Sequence, residues 1–246
     1  MVDVKGKWAL VTGGARGIGA LVAEFMADRG ANIIIQSRSL EHNQKMVDKL
    51  TAKGVECKSV ACDLQNPESV FAMLREIDSF GVDVDLVFNN AAVQIAYRTN
   101  PFDTPVVDFV DSFYINTIAP AFICYHFLPK MQKKGFGRII NTTSGIDKEP
   151  QQAGYSASKA ALDKFTRDLG TLTEGTDVII SLTDPGWCRT DLGGPGAPNA
   201  PESAIPGVVV GAFVDDKKCG RLFPAGRFHN LGLDEAVKVA ETMTRD

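Results

Sequence analysis

A chain of 246 residues, 44% hydrophobic and 23% charged, has the balance of a globular domain and enough length to bury a sizeable core. Its formal net charge of -4, with Lys and Arg scattered along the chain, leaves no electrostatic footprint for nucleic acid or an anionic membrane. Five cysteines (Cys57, Cys62, Cys124, Cys188, Cys219) and three histidines (His42, His126, His229) lie far apart without ligand spacing, which argues against disulfides and against a metal centre.

The N-terminus runs into a strand-like segment with no signal-peptide core, and no apolar stretch reads as long enough to span a membrane, so a cytoplasmic protein is expected. Short apolar runs at 8–12, 32–35, 58–61, 86–88, 138–141 and 178–182 read as strands. Between them, helical spacing occupies 18–28, 41–52, 67–79, 106–131 and 154–172. The alternation predicts right-handed βαβ crossovers, and the nearly continuous apolarity of the strands predicts a sheet covered on both faces. The fold class is therefore α/β: a single Rossmann-type, doubly wound parallel sheet over 1–246. After Pro185 a Gly- and Pro-rich stretch, 192–206, is too long for a tight connection and reads as a flexible lid over a substrate site. A last amphipathic helix, 233–244, is expected to dock on the body, and the chain reads as one complete domain.

The first strand leads into Thr12-Gly13-Gly14-Ala15-Arg16-Gly17-Ile18-Gly19 and then a helix, so backbone amides and a helix N-terminus converge where a pyrophosphate would sit. A glycine-rich turn alone is weak evidence; the strand before it and the helix after it strengthen it. A dinucleotide fold that takes NADH commonly carries an acidic residue at the end of its second strand to bind the adenine ribose. Residues 31–40 contain no Asp or Glu and offer Gln36, Ser37 and Arg38. With Arg16 in the turn, two guanidinium groups are positioned for a 2′-phosphate, which favours NADP(H) over NAD(H). The alternative is that both arginines are solvated surface charges.

Tyr155 and Lys159 lie four apart at the start of a predicted helix, on one face. Such a pair is common on helix surfaces. It gains weight from Ser144, which follows an apolar strand and so stands at the C-terminal edge of the sheet, where ligands bind in this fold. A tyrosine pKa near ~10 is too high for efficient proton exchange at neutral pH, and a nearby ammonium lowers it.

With these motifs in this order, the sequence resembles the short-chain dehydrogenase/reductases, in their shorter single-domain branch. The resemblance covers about residues 5–190 and rests on Thr12-Gly13-x3-Gly17-x-Gly19, Asp63, Asn89-Asn90-Ala91, Asn116, Ser144, Tyr155-x3-Lys159, and Pro185-Gly186 with Thr190. It implies that Tyr155 exchanges the proton, Ser144 hydrogen-bonds the substrate oxygen, Lys159 lowers the tyrosine pKa and holds the nicotinamide ribose, and Asn116 anchors a water relay. It places Gly13, Arg16, Gly17, Ile18 and Gly19 at the phosphates, Ser37 and Arg38 at the ribose, and Asp63 and Leu64 at the adenine. Asn89 is placed beside the adenine ribose, Asn90 and Ala91 along the cofactor, and Pro185, Gly186 and Thr190 around the nicotinamide amide. The reaction implied is reversible reduction of a ketone or other carbonyl to a secondary alcohol, with the hydride chemistry belonging to the cofactor.

Ala92 stands where the family usually has glycine, and 218–228 lacks the Asp-Gly-Gly segment of many relatives, which argues against a 3-oxoacyl reductase. The run Pro185-Gly186-Trp187 through Gly194 looks more like carbonyl reductases. Gln94, Ile146, Asp147, Gln151, Trp187 and Leu192 are the expected pocket residues and suit a steroid, an aromatic ketone, a sugar or a polar keto compound alike. The family also implies a homodimer or homotetramer. Two alternatives compete: the longer epimerase branch, for which the chain lacks a substrate domain, and a cofactor-binding sensor, which needs no proton relay.

Overall fold

The computed structural model describes residues 1–245. Seven strands form one parallel sheet: β1 (Trp8–Thr12), β2 (Asn32–Ser37), β3 (Cys57–Ala61), β4 (Val84–Asn89), β5 (Gly137–Thr142), β6 (Val178–Asp184) and β7 (Leu222–Pro224), in spatial order β3-β2-β1-β4-β5-β6-β7. The helices are α1 (Gly17–Ala27), α2 (Leu40–Thr51), α3 (Pro67–Ser79), α4 (Val106–Phe113), α5 (Ala119–Lys134), α6 (Ala153–Gly170) and α7 (Leu233–Thr242). Each of the six strands read from the sequence is present: β1 keeps its bounds, and the other five gain one to three residues where backbone pairing continues beyond the apolar run.

The central strands are buried from end to end because helices cover both faces. Leu10, Ile33, Ile34 and Ile35 are fully buried, each contributing about 1.5–3 kcal/mol of transfer free energy. Local chemistry sets the helix ends. Asn66 caps α3 by accepting from the Glu68 and Ser69 amides, with Pro67 at the first helical position. Gly135, at φ 78°, ends α5 in the left-handed conformation.

Three expectations are corrected. The segment expected as one helix over 106–131 is α4 and α5 joined through a π-turn, Tyr114–Ile118, and it continues to Lys134. Hydrophobic spacing runs through the π-turn, so periodicity does not reveal it. Within Val106–Lys134, an 18-residue window reaches a mean hydropathy of 1.3, long and apolar enough by composition to cross a bilayer, contrary to the sequence reading. Here the run packs on the protein through Ile123, Cys124, Phe127, Leu128 and Met131, while Phe122 and Tyr125 face outward. Third, the stretch 192–206 is not a loose loop. Trp187 Nε1 donates to the Gly193 carbonyl at 2.8 Å, Arg189 Nη1 to the Ala197 and Pro198 carbonyls at 3.0 and 2.7 Å, and Asn199 Nδ2 to the Trp187 carbonyl at 3.0 Å. The loop is stapled to the segment that leaves β6.

Strand order reverses direction between β1 and β4, and the connections leaving those two strands diverge to opposite sides. The crevice at their C-terminal ends is where an open α/β sheet receives its ligand.

Candidate active site

The turn after β1 is built around contacts that tolerate no side chain. A Cβ on Gly19 would lie 2.2 Å from the Gly13 carbonyl oxygen and 2.6 Å from Asn90 Nδ2, and one on Gly13 would lie 3.1 Å from Ala91 Cα. Gly13 and Gly17 also have φ of 63° and 56°, which L side chains rarely adopt. The Thr12 hydroxyl accepts from the Asn90 and Ala91 amides, both at 3.0 Å, and Asn90 Nδ2 donates to the Thr12 carbonyl at 3.1 Å. These bonds lock the ends of β1 and β4 together.

At the N-terminus of α1, Arg16 is extended, no side chain caps the helix, and no acidic residue lies in the first turn. The amides of Gly17, Ile18 and Gly19 open the helix there, in contrast to the capped start of α3. An uncapped helix N-terminus beside glycines suits a pyrophosphate, so the residues present fit a dinucleotide.

Farther along the edge, Gln36 departs from the sequence reading. Its Oε1 accepts from the Gly13 amide at 3.1 Å and its Nε2 donates to the Cys62 carbonyl at 2.9 Å, so this buried side chain ties β1, β2 and β3 rather than facing a ribose. Ser37 donates to the Ser39 carbonyl at 2.9 Å, and Arg38 is exposed. Arg16 Nη1 pairs with Asp191 Oδ2 at 2.7 Å on the surface. Asp63 accepts from the Gln65 amide at 3.0 Å beside buried Leu64. Asn89, expected beside the adenine ribose, instead points into the core, where Nδ2 donates to Asn141 Oδ1 at 2.8 Å. Alternation along β4 turns Asn89 inward and Asn90 toward the turn.

The proton-transfer candidates meet at the ends of β5 and α6. Tyr155 is buried; burial pushes its phenol above the ordinary value, a hydrogen bond with Ser144 opposes this, and the Asp184 carboxylate adds to it. Lys159 is buried too, and burial pulls its ammonium down to about 8 against the attraction of Asp163 and Asp184. Its Nζ donates to the Thr142 carbonyl at 2.7 Å and lies 5.9 Å from the Tyr155 ring centroid. The phenol thus lies among Ser144, Asp184 and the Lys159 ammonium, with burial the largest influence on it.

Asn116 sits in the π-turn, fully buried, and every polar atom of its side chain is engaged. Oδ1 accepts from the Val93 amide at 2.9 Å, while Nδ2 donates to the Val93 carbonyl at 2.9 Å and to Ser158 Oγ at 3.0 Å. Asn116 therefore holds the strand leaving β4 against α6. On the other side, Gly186 has φ 72°, the Thr190 hydroxyl accepts from the Gly193 amide at 3.1 Å, and Thr190 packs beside Gly17. Pro185 is half-buried at the start of this loop. Trp187 and Leu192 are exposed along it, whereas Gln94, Ile146 and Gln151 are half-buried and Asp147 is exposed.

Sequence reasoning gave the Thr12 hydroxyl no role and missed Asp191 and Asp184. A carboxylate ending the apolar strand β6 was the available signal for Asp184. Among the described residues, no three His, Cys, Asp or Glu side chains converge as a metal site.

The short chain dehydrogenase family model matches residues 7–199. The 3-oxoacyl-(acyl-carrier-protein) reductase FabG of Vibrio cholerae is 35% identical over 195 residues, covering 78% of this chain and 77% of that protein. Among solved structures, an NAD+-bound xylitol dehydrogenase superposes with a TM-score of 0.79 at 25% identity, over 91% of this chain and 98% of that one. A metagenomic short-chain oxidoreductase in complex with NADP superposes at 0.70 with 28% identity, over 76% and 86%. The chain belongs to the short chain dehydrogenase family of NAD(P)-dependent oxidoreductases.

Proposed function

We propose that this protein is an NADPH-dependent reductase that converts a small-molecule ketone or other carbonyl to a secondary alcohol, reversibly. The observation that carries this reading is the buried Tyr155 beside Ser144, with Lys159 one helical turn on, at the same sheet edge as the uncapped, glycine-lined start of α1. When bound, the nicotinamide supplies or accepts the hydride. Ser144 holds the substrate oxygen, and Tyr155 gives that oxygen its proton in reduction and takes it back in oxidation. A phenol raised by burial is protonated at neutral pH, the form that reduction requires. In this reading Lys159, buried one helical turn on, reaches the nicotinamide ribose, and Asn116, whose side chain is bonded to Val93 and Ser158, anchors a relay water through the remaining lone pair of Oδ1. The remaining cofactor contacts in this reading are Gly13, Arg16, Gly17, Ile18, Gly19, Ser37, Arg38, Asp63, Leu64, Asn90, Ala91, Pro185, Gly186 and Thr190.

The preference for NADP(H) rests on Arg16 and the exposed Arg38, with no carboxylate in residues 31–40. The relatives divide on this point, since the similar structures include an NAD+ complex and an NADP complex. A carbonyl-reductase-like substrate is favoured over an acyl-carrier-protein thioester by the absence of an Asp-Gly-Gly segment, although 3-oxoacyl reductases stand among the similar proteins. Residues 192–206 form the substrate lid in this reading. The exposed apolar side chains of α4 and α5, Val106, Val107, Val110, Phe122 and Tyr125, suit a homodimer or homotetramer, and a cytoplasmic location fits the reduced thiols.

The test is NADPH and NADH oxidation with a panel of ketones, aldehydes, oxo-steroids and keto sugars, repeated with Tyr155→Phe. Turnover with one carbonyl class is expected, and the variant should keep cofactor binding while losing roughly 10²- to 10⁴-fold or more in kcat. Undiminished turnover by Tyr155→Phe would overturn the mechanism. Cofactor binding without turnover on any substrate would favour a sensor.

A further inference from the structure

β6 is buried through six residues, Val178 to Thr183, and then ends in a half-buried carboxylate, Asp184. Its partner β5 ends in register with it, Thr142 opposite Thr183. The two chains that leave the sheet there are the Ser144 loop, on the substrate side, and the Pro185-Gly186 loop, on the nicotinamide side. Asp184 lies between them with both oxygens engaged: Oδ2 accepts from the Gly145 amide at 3.1 Å, and Oδ1 from the Gly186 amide at 2.9 Å. The approach depends on glycine at 145, because a Cβ there would come within 2.8 Å of Oδ2. One carboxylate thus ties together the loops that carry the substrate-oxygen donor and the nicotinamide contacts.

We propose that Asp184 is a positioning residue of the active site, fixing Ser144 relative to the nicotinamide-side loop and holding a negative charge beside Tyr155 and Lys159. This inference rests on the reading of Tyr155 as the proton donor. The titratable groups facing Asp184 are Tyr155, Lys159 and Asp163 from α6 and Cys188 from its own loop. Its charge holds the Tyr155 phenol and the Lys159 ammonium up, each against loss of its proton. The neutral acid form of Tyr155 is the form that donates in reduction, so the charge extends the reductive range toward alkaline pH. An asparagine would remove the charge. It would also keep only one of the two bonds, since an amide NH2 cannot accept from a backbone N–H.

Two measurements test this with Asp184→Asn and Asp184→Glu. The first is the pH dependence of kcat/KM for NADPH-driven reduction of whichever carbonyl the panel identifies. The alkaline limb of Asp184→Asn should move to lower pH by roughly half a unit to one unit, with kcat reduced about 10-fold and NADPH affinity little changed. Asp184→Glu should return the limb to its wild-type position, since the charge is restored, while kcat stays low because the longer side chain displaces the loops. A purely structural role would lower activity evenly across pH in both variants.

The second measurement needs neither turnover nor cofactor. It is a phenolate absorbance titration, with Tyr155 isolated as the difference between each protein and its Tyr155→Phe counterpart. The phenol should titrate lower in Asp184→Asn than in wild type or Asp184→Glu. Coincident phenol titrations, or superimposable pH profiles, would overturn the role of Asp184. If Asp184→Asn melts before measurement, Asp184→Ser takes its place, since it also removes the charge while keeping an acceptor, and an unmoved alkaline limb and phenol titration in it would overturn the inference. Undiminished turnover by Tyr155→Phe would instead refute the underlying reading, so the two failures are distinguishable.

Discussion

The two halves of the candidate site are built by different means. The cofactor side, the turn from Thr12 to Gly19, is specified by the absence of side chains, with backbone and Asn90 packed where any Cβ would intrude. In the proposed reading the substrate side is the lid, 192–206, held by hydrogen bonds to the loop that leaves β6, with Trp187 and Leu192 left facing solvent. A ligand shared by a whole family demands one backbone shape, whereas a substrate that differs from member to member is met by side chains on a replaceable loop.

The strongest way to break this contrast is a matched pair of glycine substitutions. Gly19→Ala forces a methyl group within 2.2 Å of the Gly13 carbonyl oxygen, which only a shift of the turn can relieve. The expected result is a loss of about 1–3 kcal/mol in stability and at least roughly 10-fold weaker NADPH binding, read by thermal melting and fluorescence titration. Gly196→Ala meets nothing within 4 Å and should leave both unchanged. Equal effects of the two would show that the turn is not the constrained half.

Lys159 carries a cost that its proposed role would explain. Burial pulls its pKa from 10.5 to about 8, so between those values the unfolded chain binds the proton more tightly than the folded one. The penalty on the folded state is therefore full below about pH 8 and fades as pH rises toward 10.5. At pH 7 it amounts to roughly 3 kcal/mol, net of the attraction of Asp163 and Asp184. Lys159→Met is expected to melt at higher temperature than wild type at pH 7, with the gap closing toward pH 10, and to lose turnover. A melting temperature below wild type at pH 7 would mean that the folded protein does not hold Lys159 below its ordinary value.

Much of this organisation was legible in the sequence, for physical reasons that also mark where legibility ended. Strands covered on both faces are apolar throughout, so β1 to β6 stood out, while β7 is three residues long and leaves no pattern. The glycine turn, Ser144, Tyr155 and Lys159 were readable because each chemistry admits few residue types. Asn89 and Asn90 were not separable, since two adjacent asparagines at a strand end look alike until the pleat turns one inward. Gln36 read as a ribose contact because its position suits one; its bonds to Gly13 and Cys62 cross three strands and have no local signature. Asp184 and Asp191 act only through loops brought beside them by the fold.

Asp191 is where the two halves touch, and it yields the smallest expected effect. Its carboxylate pairs with Arg16 at 2.7 Å, and both side chains are about 70% exposed (69% and 72%), so water and salt screen the pair and it adds little to stability. If Arg16 meets the 2′-phosphate, Asp191 competes with that phosphate for the guanidinium and repels it. Asp191→Asn should then leave the melting temperature unchanged and tighten NADPH binding about two- to five-fold at low salt, with little change for NADH. Equal tightening of both cofactors would move the contact from the 2′-phosphate to the pyrophosphate they share. No change in either would make Arg16 and Asp191 a surface pair, leaving Arg38 as the sole basis for an NADP(H) preference and the two halves of the site electrostatically independent.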